Sequence, residues 1–295
     1  MDRRTLVVAL VAAEIAILLM AAYAIRSTGQ WHESRGPRHV TTRVEALRPG
    51  GSVSVSLPGA VVALRPSPDE RVHVTERSSK TVPLQVETGS EGLRIWRDRA
   101  ANGGFTFGFN PSDIVDIAVP QEAPVEVVGE RITATGMRAA LSLHAEDGSV
   151  RVSDQNGDLH ILADDGRIYL DRVSAQNVHA ESRSGRIVAT ALTLRGAEPK
   201  LEATTADGRI ELAVKQLPAD GRYLVHTDNG PIRLRIPSDS DVTIAMSSED
   251  GTITATGTQL SGEGRERRAV LGTGRATFQA STRDGSINLI AGILE

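Results

Sequence analysis

Apolar and polar residues alternate along most of this chain in short runs. Val53 and Val55, Val72 and Val74, Leu84 and Val86, and Phe105, Phe107 and Phe109 recur at period two, as do Val115, Ile117 and Val119, and Val125 and Val127. Gly, Pro, Asp and Ser interrupt the runs, which is the mark of strands joined by turns. No helical stripe follows residue 40, so the pattern predicts an all-β fold.

After residue 140 the alternation becomes a repeat, as in "LADDGRIYL", "TTADGRIEL", "SSEDGTITA" and "STRDGSINL". Gly148, Gly166, Gly185, Gly208, Gly230, Gly251 and Gly285 mark its corners. Two positions after them stand Val150, Ile168, Ile187, Ile210, Ile232, Ile253 and Ile287, and four after, Val152, Leu170, Ala189, Leu212, Leu234, Ala255 and Leu289. Seven and five positions before each glycine are apolar as well. Three before come Ala145, Ala163, Ser182, Thr205, Thr227, Ser248 and Thr282, all small. One strand therefore enters a tight turn and a second leaves it, both sending the same parity of residue inward. The core must narrow at that corner.

The glycine spacings are 18, 19, 23, 22, 21 and 34 residues. Asp-Gly between alternating strands is also a hairpin signal, so an antiparallel β-sandwich is the alternative. Gly157 midway through the first spacing favours a β-solenoid, a β-helix-like stack of short strands with Asp-Gly corners and one coil per spacing. Its opposite side takes insertions. The polar "GTQLSGEGRERRAVLGTG" in the longest spacing is expected to project.

The N-terminus is of another kind. "MDRR" precedes a 20-residue stretch, Leu6 to Ile25, with one charge, Glu14. That length spans a bilayer core, and the flanking basic residues favour a cytoplasmic N-terminus. The expected organisation is a membrane anchor or signal peptide over 1–25, a polar linker over 26–40 and a β-strand-repeat domain over 41–295. The expected location is the cell membrane, single-pass with an extracytoplasmic domain. Cleavage after Ala24, giving a secreted or periplasmic protein, is the alternative.

Composition narrows the chemistry. Nine aromatics in 295 residues leave little for stacking sugars or bases. A net charge of −4 with mixed signs offers no concentrated basic face, so nucleic acid is not an expected partner. The absence of cysteine removes disulfides, thiolate metal sites and thiol catalysis.

"DIVDIAVPQEAPVEVV", "HTDNGPIRLRIPSDSDVTIAMSSEDGTI" and "GTGRATFQASTRDGSINL" carry a resemblance. Strands ending in Pro, short polar gaps and Ser/Thr-x-Asp-Gly-x-Ile turns follow one another in the same order as in a bacterial family of β-strand-repeat domains, the adhesin-like toast-rack proteins. The resemblance covers roughly residues 41 to 295. It implies a toast-rack-like stack of strands in an envelope or surface protein, and it carries over no catalytic residues.

Asp147, Asp165, Asp207, Asp250 and Asp284 precede corner glycines, and a stacked carboxylate column could attract calcium. The Gly-Gly-x-Gly-x-Asp calcium repeat is absent, however, and Arg167, Arg186 and Arg209 stand beside the column. Turn geometry explains the Asp-Gly pairs better, because Gly takes positive φ and Asp tolerates it. His160 and His179 both lie six residues before their glycines, in register one coil apart, and His144 lies four before. Two ligands do not make a metal site, so no metal and no cofactor is expected. Asp164 and Asp165 resemble the acid pairs of β-helical polysaccharide hydrolases only in being adjacent aspartates. In "GGFTFGFN", Phe105, Phe107 and Phe109 share one face and serve either as an end cap or as a partner surface.

The function expected from the sequence is a non-catalytic, membrane-tethered envelope interaction or scaffold protein, adhesin-like in build. Its expected partners are the membrane, through the N-terminal helix, and an envelope polysaccharide or another envelope protein. Outward residues such as Tyr169, Glu211, Arg233 and Arg235 would form its rows. An extracytoplasmic signalling ectodomain and a polysaccharide-acting β-helix enzyme are the alternatives.

Overall fold

The computed structural model describes residues 39–78, 82–97 and 113–292, and they are all-β. The anchor read over 1–25 and the phenylalanines at 105, 107 and 109 lie outside the described residues. Among the described residues no helix is long and apolar enough to cross a membrane.

The first strands are β1 (His39–Ala46), β2 (Ser52–Pro66), β3 (Arg71–Ser78), β4 (Gln85–Thr88), β5 (Gly92–Trp96), β6 (Asp113–Val119) and β7 (Val125–Thr135). β1 thus opens inside the stretch read as linker. The repeat follows as β8 (Leu141–Ala145), β9 (Val150–Ser153), β10 (Leu159–Ala163), β11 (Ile168–Asp171), β12 (Ser174–Ala175), β13 (Asn177–Ser182), β14 (Ile187–Leu194), β15 (Lys200–Asp207) and β16 (Ile210–Gln216). It ends with β17 (Arg222–Asn229), β18 (Ile232–Ile236), β19 (Val242–Ser248), β20 (Ile253–Thr256), β21 (Glu266–Leu271), β22 (Ala276–Asp284) and β23 (Ile287–Ala291).

Successive coils pair in parallel, as a solenoid requires and a sandwich of hairpins does not. One ladder runs β5–β2–β7–β8–β10–β13–β15–β17–β22–β19, edged by antiparallel β4 and β21. The other runs β6–β2–β7–β9–β11–β14–β16–β18–β23–β20, with antiparallel β3 and then β1 beyond β6. We call these the first and second sheets. β2 and β7 bend through both, so each is a whole coil without an Asp-Gly corner.

The inward columns match the sequence repeat. Val53, Val125, Leu141, Leu159, Val178, Leu201, Tyr223, Phe278 and Ile244 stack in one register and are buried. Phe278 is fully buried and meets Tyr223 with ring centroids 5.8 Å apart. Burial holds the Tyr223 phenol above its usual range, and its hydroxyl donates to the Pro218 carbonyl at 2.7 Å.

Stacking order departs from chain order at both ends. The last coil in sequence, β22–β23, lies between β17–β18 and β19–β20. Ile287 and Leu289 are accordingly fully buried, while Ile253 and Ala255 are only partly covered at the end of the stack. At the other end β2 lies between the β5–β6 coil and β7. The excursion expected to project is corrected here: its residues 266–271 form β21, which pairs with β19 and closes that edge of the first sheet. A paired antiparallel strand protects an edge that a projecting loop would leave open.

Candidate binding face

The corners place every functional side chain, because they fix the coil register. A Cβ on Gly166, Gly185, Gly208, Gly230, Gly251 or Gly285 would collide with the carbonyl oxygen of the corner glycine in the adjacent coil. Of the seven corner glycines only Gly230 has positive φ, at 155°. The need is therefore close approach between coils, not the left-handed turn expected from the Asp-Gly pairs. The same contacts follow the stacking order: Gly285 abuts Gly230, and Gly251 abuts Gly285.

Beside these glycines runs a buried hydroxyl ladder that sequence reading took only for small residues. Ser182 Oγ donates to the Gly166 carbonyl at 3.0 Å, Thr205 Oγ1 to Gly185 at 3.3 Å and Thr227 Oγ1 to Gly208 at 3.0 Å. Thr282 Oγ1 donates to Gly230 at 3.0 Å and Ser248 Oγ to Gly285 at 2.8 Å. No backbone N–H among the described residues is directed at these five carbonyls. Each hydroxyl thus gives a corner carbonyl the partner that no backbone N–H among the described residues supplies. The signal was in the sequence as five consecutive Ser or Thr residues three before the corner.

With register fixed, outward residues form rows on the first sheet. Glu126, Ser142, His160, His179 and Glu202 stand in one row. The His160 and His179 rings stack with centroids 4.7 Å apart and an interplanar angle of 13°. His179 Nδ1 lies 3.1 Å from Glu202 Oε2, and its Nε2 lies 3.6 Å from Glu181. His144 stands one outward row over, opposite Leu162, and faces Asp164 at 3.9 Å. His226 follows in that row, 2.8 Å from Ser281 Oγ and 3.5 Å from Asp228.

The row of the stacked histidines walls a groove of ≈ 670 Å³ whose lining extends from Ser54 through Ser142 and Asp158 to Lys200. It crosses six coils, from β2 to β15, and so is about 24 Å long at the usual strand spacing. Asp158 anchors its floor. Its carboxylate accepts from the Asn177 N–H at 2.9 Å, the Gln176 N–H at 3.1 Å and Asn177 Nδ2 at 2.7 Å.

The other candidates separate. Asp164 is engaged by Arg183 at 3.4 Å and by His144, while Asp165 is exposed at the corner. In the aspartate column Asn229 Nδ2 donates to Asp207 at 2.7 Å. Arg209 pairs with Glu211 at 3.1 Å, not with a column aspartate, and Arg167 and Arg186 form no ion pair among the described residues. The arginines that stand beside the column therefore form no ion pair with it among the described residues. Among the described residues no group of three or more His, Asp or Glu side chains is placed to hold a metal ion. On the second sheet Tyr169, Glu211 and Arg233 share one row, and Arg151 lies 5.1 Å over the Tyr169 ring. Arg235 stands in the next row.

A buried charge cluster also escaped sequence reading. Arg97, at the end of β5, donates to both Glu76 on β3 and Asp113 at the start of β6. The Asp113 side chain is fully buried and that of Arg97 nearly so.

The profile of the Toastrack DUF4097 family matches residues 53–290, most of the chain. The chain belongs to that family. Among solved structures, this Toastrack chain is similar to a "putative adhesin" from Bacteroides fragilis at 11% identity, over 85% of this chain and 97% of that one, with a TM-score of 0.45. A "putative adhesin" from Parabacteroides merdae is 10% identical over 86% of this chain and 97% of that one, TM-score 0.40. A "putative cell adhesion protein" from Clostridium sporogenes is 12% identical over 86% and 100%, TM-score 0.33. No curated protein matches the Toastrack chain.

Proposed function

We propose that this Toastrack protein is a non-catalytic, adhesin-like module of the cell envelope, tethered by its N-terminal apolar segment, whose first-sheet groove holds an extended envelope polysaccharide. The groove carries this reading. It is long and open, runs across coils, and presents polar groups of both kinds at the coil repeat. Glu126 and Glu202 can accept hydrogen bonds, Lys200 can donate, and the imidazoles of His160 and His179, stacked on one another, add ring nitrogens to the wall. Such an array suits a linear, hydroxyl-rich polymer, which gains affinity from many weak contacts made in register. The small residues Ser54, Ala140 and Ser142 keep the floor low at one end.

The test incubates the purified chain with envelope polysaccharides and follows both the bound fraction and the appearance of new reducing ends. Binding that is weakened by His179→Ala with Glu202→Ala, without new ends, is the expected result. New reducing ends would replace this reading with the enzymatic one. No binding to any envelope polysaccharide would overturn the assignment of the groove.

A further inference from the structure

Six successive coils of the second sheet each present an arginine on the outward face. Within or immediately before β7, β9, β11, β14, β16 and β18 stand Arg131, Arg151, Arg167, Arg186, Arg209 and Arg233, all exposed. Ile168, Ile187 and Ile210 are buried and paired in register, so Arg167, Arg186 and Arg209 just before them form one row on the opposite face. The Ile168 N–H meets the Arg186 carbonyl at 2.9 Å and the Ile187 N–H meets that of Arg209 at 3.0 Å. Arg151 and Arg233 stand in the adjoining outward row. At the usual strand spacing the stripe is about 24 Å long.

The stripe lacks counter-charges. Among the described residues Arg131, Arg151, Arg167, Arg186, Arg233 and Arg235 form no ion pair, while Arg209 pairs with Glu211. Exposed arginines elsewhere do find carboxylates: Arg172 holds Asp154 at 2.7 Å, Arg275 holds Asp241 at 2.6 Å and Arg283 reaches Asp228 at 3.3 Å. Asp165 and Asp207 stand two residues before Arg167 and Arg209, across the corner glycine, and border the stripe without pairing with it. They offset it in the net charge, so composition hid it. Like charges one coil apart repel, and an anion laid along them relieves that repulsion. A hollow of ≈ 140 Å³ opens on the same face between Val188, Ala213, Arg233 and Arg235.

We propose that this stripe is a second binding site, for a linear acidic polysaccharide with carboxylates on successive sugars, laid along the stack axis. A guanidinium donates two parallel N–H bonds to a carboxylate, and one arginine per coil supplies such contacts at a regular step. The stripe is two rows wide and flanked by Thr133, Ser149, Thr190 and Asn288, with no large apolar side chain to enter a membrane. Its one aromatic ring, Tyr169, is half-buried and has Arg151 5.1 Å over it, which leaves no platform for bases. The first-sheet groove is lined by Glu126, Asp158 and Glu202 with Lys200 and holds no arginine, so an acidic polymer favours the second sheet.

The full chain, in a non-ionic detergent because of residues 6–25, is titrated into labelled oligogalacturonate and followed by fluorescence anisotropy. The salt is set at about 0.1 M, where charges beyond about 10 Å are screened. Arg167→Gln with Arg186→Gln should weaken binding about tenfold. Arg138→Gln with Arg195→Gln removes the same charge from the links after β7 and β14, and should change it by less than about twofold. No binding would overturn the proposal, and so would equal weakening by both pairs, which would reduce the site to net charge. Tighter binding of labelled single-stranded DNA or of anionic lipid vesicles, lost in the Arg167 and Arg186 variant, would give the stripe to that partner instead. If that variant fails to fold, Arg233→Gln with Arg235→Gln beside the hollow decides in its place. Neutral polysaccharides test the groove, so the two sites stand or fall separately.

Discussion

Replacing Gly185 by alanine tests whether the corner glycines are required by contact between coils. The added Cβ would lie 2.8 Å from the Gly166 carbonyl carbon and 2.8 Å from Ser182 Oγ, and closer still to the Gly166 oxygen. Carbon atoms rest about 3.5–4.0 Å apart, so the coils must separate locally by roughly 1 Å. Three hydrogen bonds span that gap: Ser182 Oγ to Gly166 at 3.0 Å, the Ser184 N–H to Asp164 at 3.1 Å and the Ile168 N–H to Arg186 at 2.9 Å. Stretched by an ångström they are no longer hydrogen bonds. At about 0.5–1.5 kcal/mol each, the loss is about 2–4 kcal/mol. Gly50→Ala is the control. That glycine has φ of 75° but nothing within 4 Å of the new Cβ, so it tests conformational preference without contact. Its expected cost is about 1–2 kcal/mol. Urea unfolding of both variants measures the difference. A Gly185→Ala variant no less stable than Gly50→Ala would refute the contact argument and return the glycines to a role in turn geometry.

Other consequences are as open to measurement. Thr227→Val keeps the shape of the side chain but strands the Gly208 carbonyl, and should cost about 1–3 kcal/mol by urea denaturation; Thr204→Val, on the outward row, should cost far less. Arg97→Met leaves Glu76 and the buried Asp113 without their shared cation and should destabilise by about 3–5 kcal/mol, read as a fall in Tm. Asp69 accepts from His73 Nε2 at 2.8 Å and also from the Arg71 N–H and Ser67, and these bonds pull its pKa from 3.8 to about 2. A carboxyl depressed on folding stabilises above its unfolded pKa and loses that contribution as pH falls toward the folded one. Stability should therefore decline between about pH 4 and pH 2, and Asp69→Asn should make that decline shallower in acid titrations followed by circular dichroism.

The inward columns were legible in the sequence because period-two burial is a local property. Leu159, Ile161, Ile168 and Leu170 announce their strand pair without reference to anything distant. The row containing His160 and His179 was legible for the same reason, since equal offsets from stacked corners must coincide. What the sequence could not express was partnership at a distance. Asp158 clamps the backbone of residues 176 and 177, one coil on, and Arg97 meets Glu76 from another strand; neither pairing has a periodic signature. The corner glycines were found for the wrong physical reason, because an Asp-Gly dipeptide looks the same whether its glycine serves a positive φ or a neighbour's carbonyl. The coils without such corners, β2 and β7, were read only as isolated alternating runs.

The stacking order has a consequence for the binding face. A solenoid built strictly in sequence has nearest-neighbour coils that can be added or lost one at a time, and its end coils fray. Here the coil β22–β23 holds the fully buried Phe278 and is paired on both sides, with β17–β18 and with β19–β20. At the other end β2 is held by β7 and by the β5–β6 coil, with the Arg97 cluster tying β5, β3 and β6 together. Both arrangements replace local pairing by long-range pairing, which slows folding but leaves neither of these chain-end coils as a free edge. The groove depends on that. Its six coils begin at β2, and its rows exist only while every coil keeps the register that the corner glycines and hydroxyls impose. A slip of one residue would turn His160 and His179 inward and present Leu159 and Val178 in their place. The hydroxyl ladder and the interleaved ends therefore act on the same variable, the register of the rows, and the face is as well defined as the corners behind it.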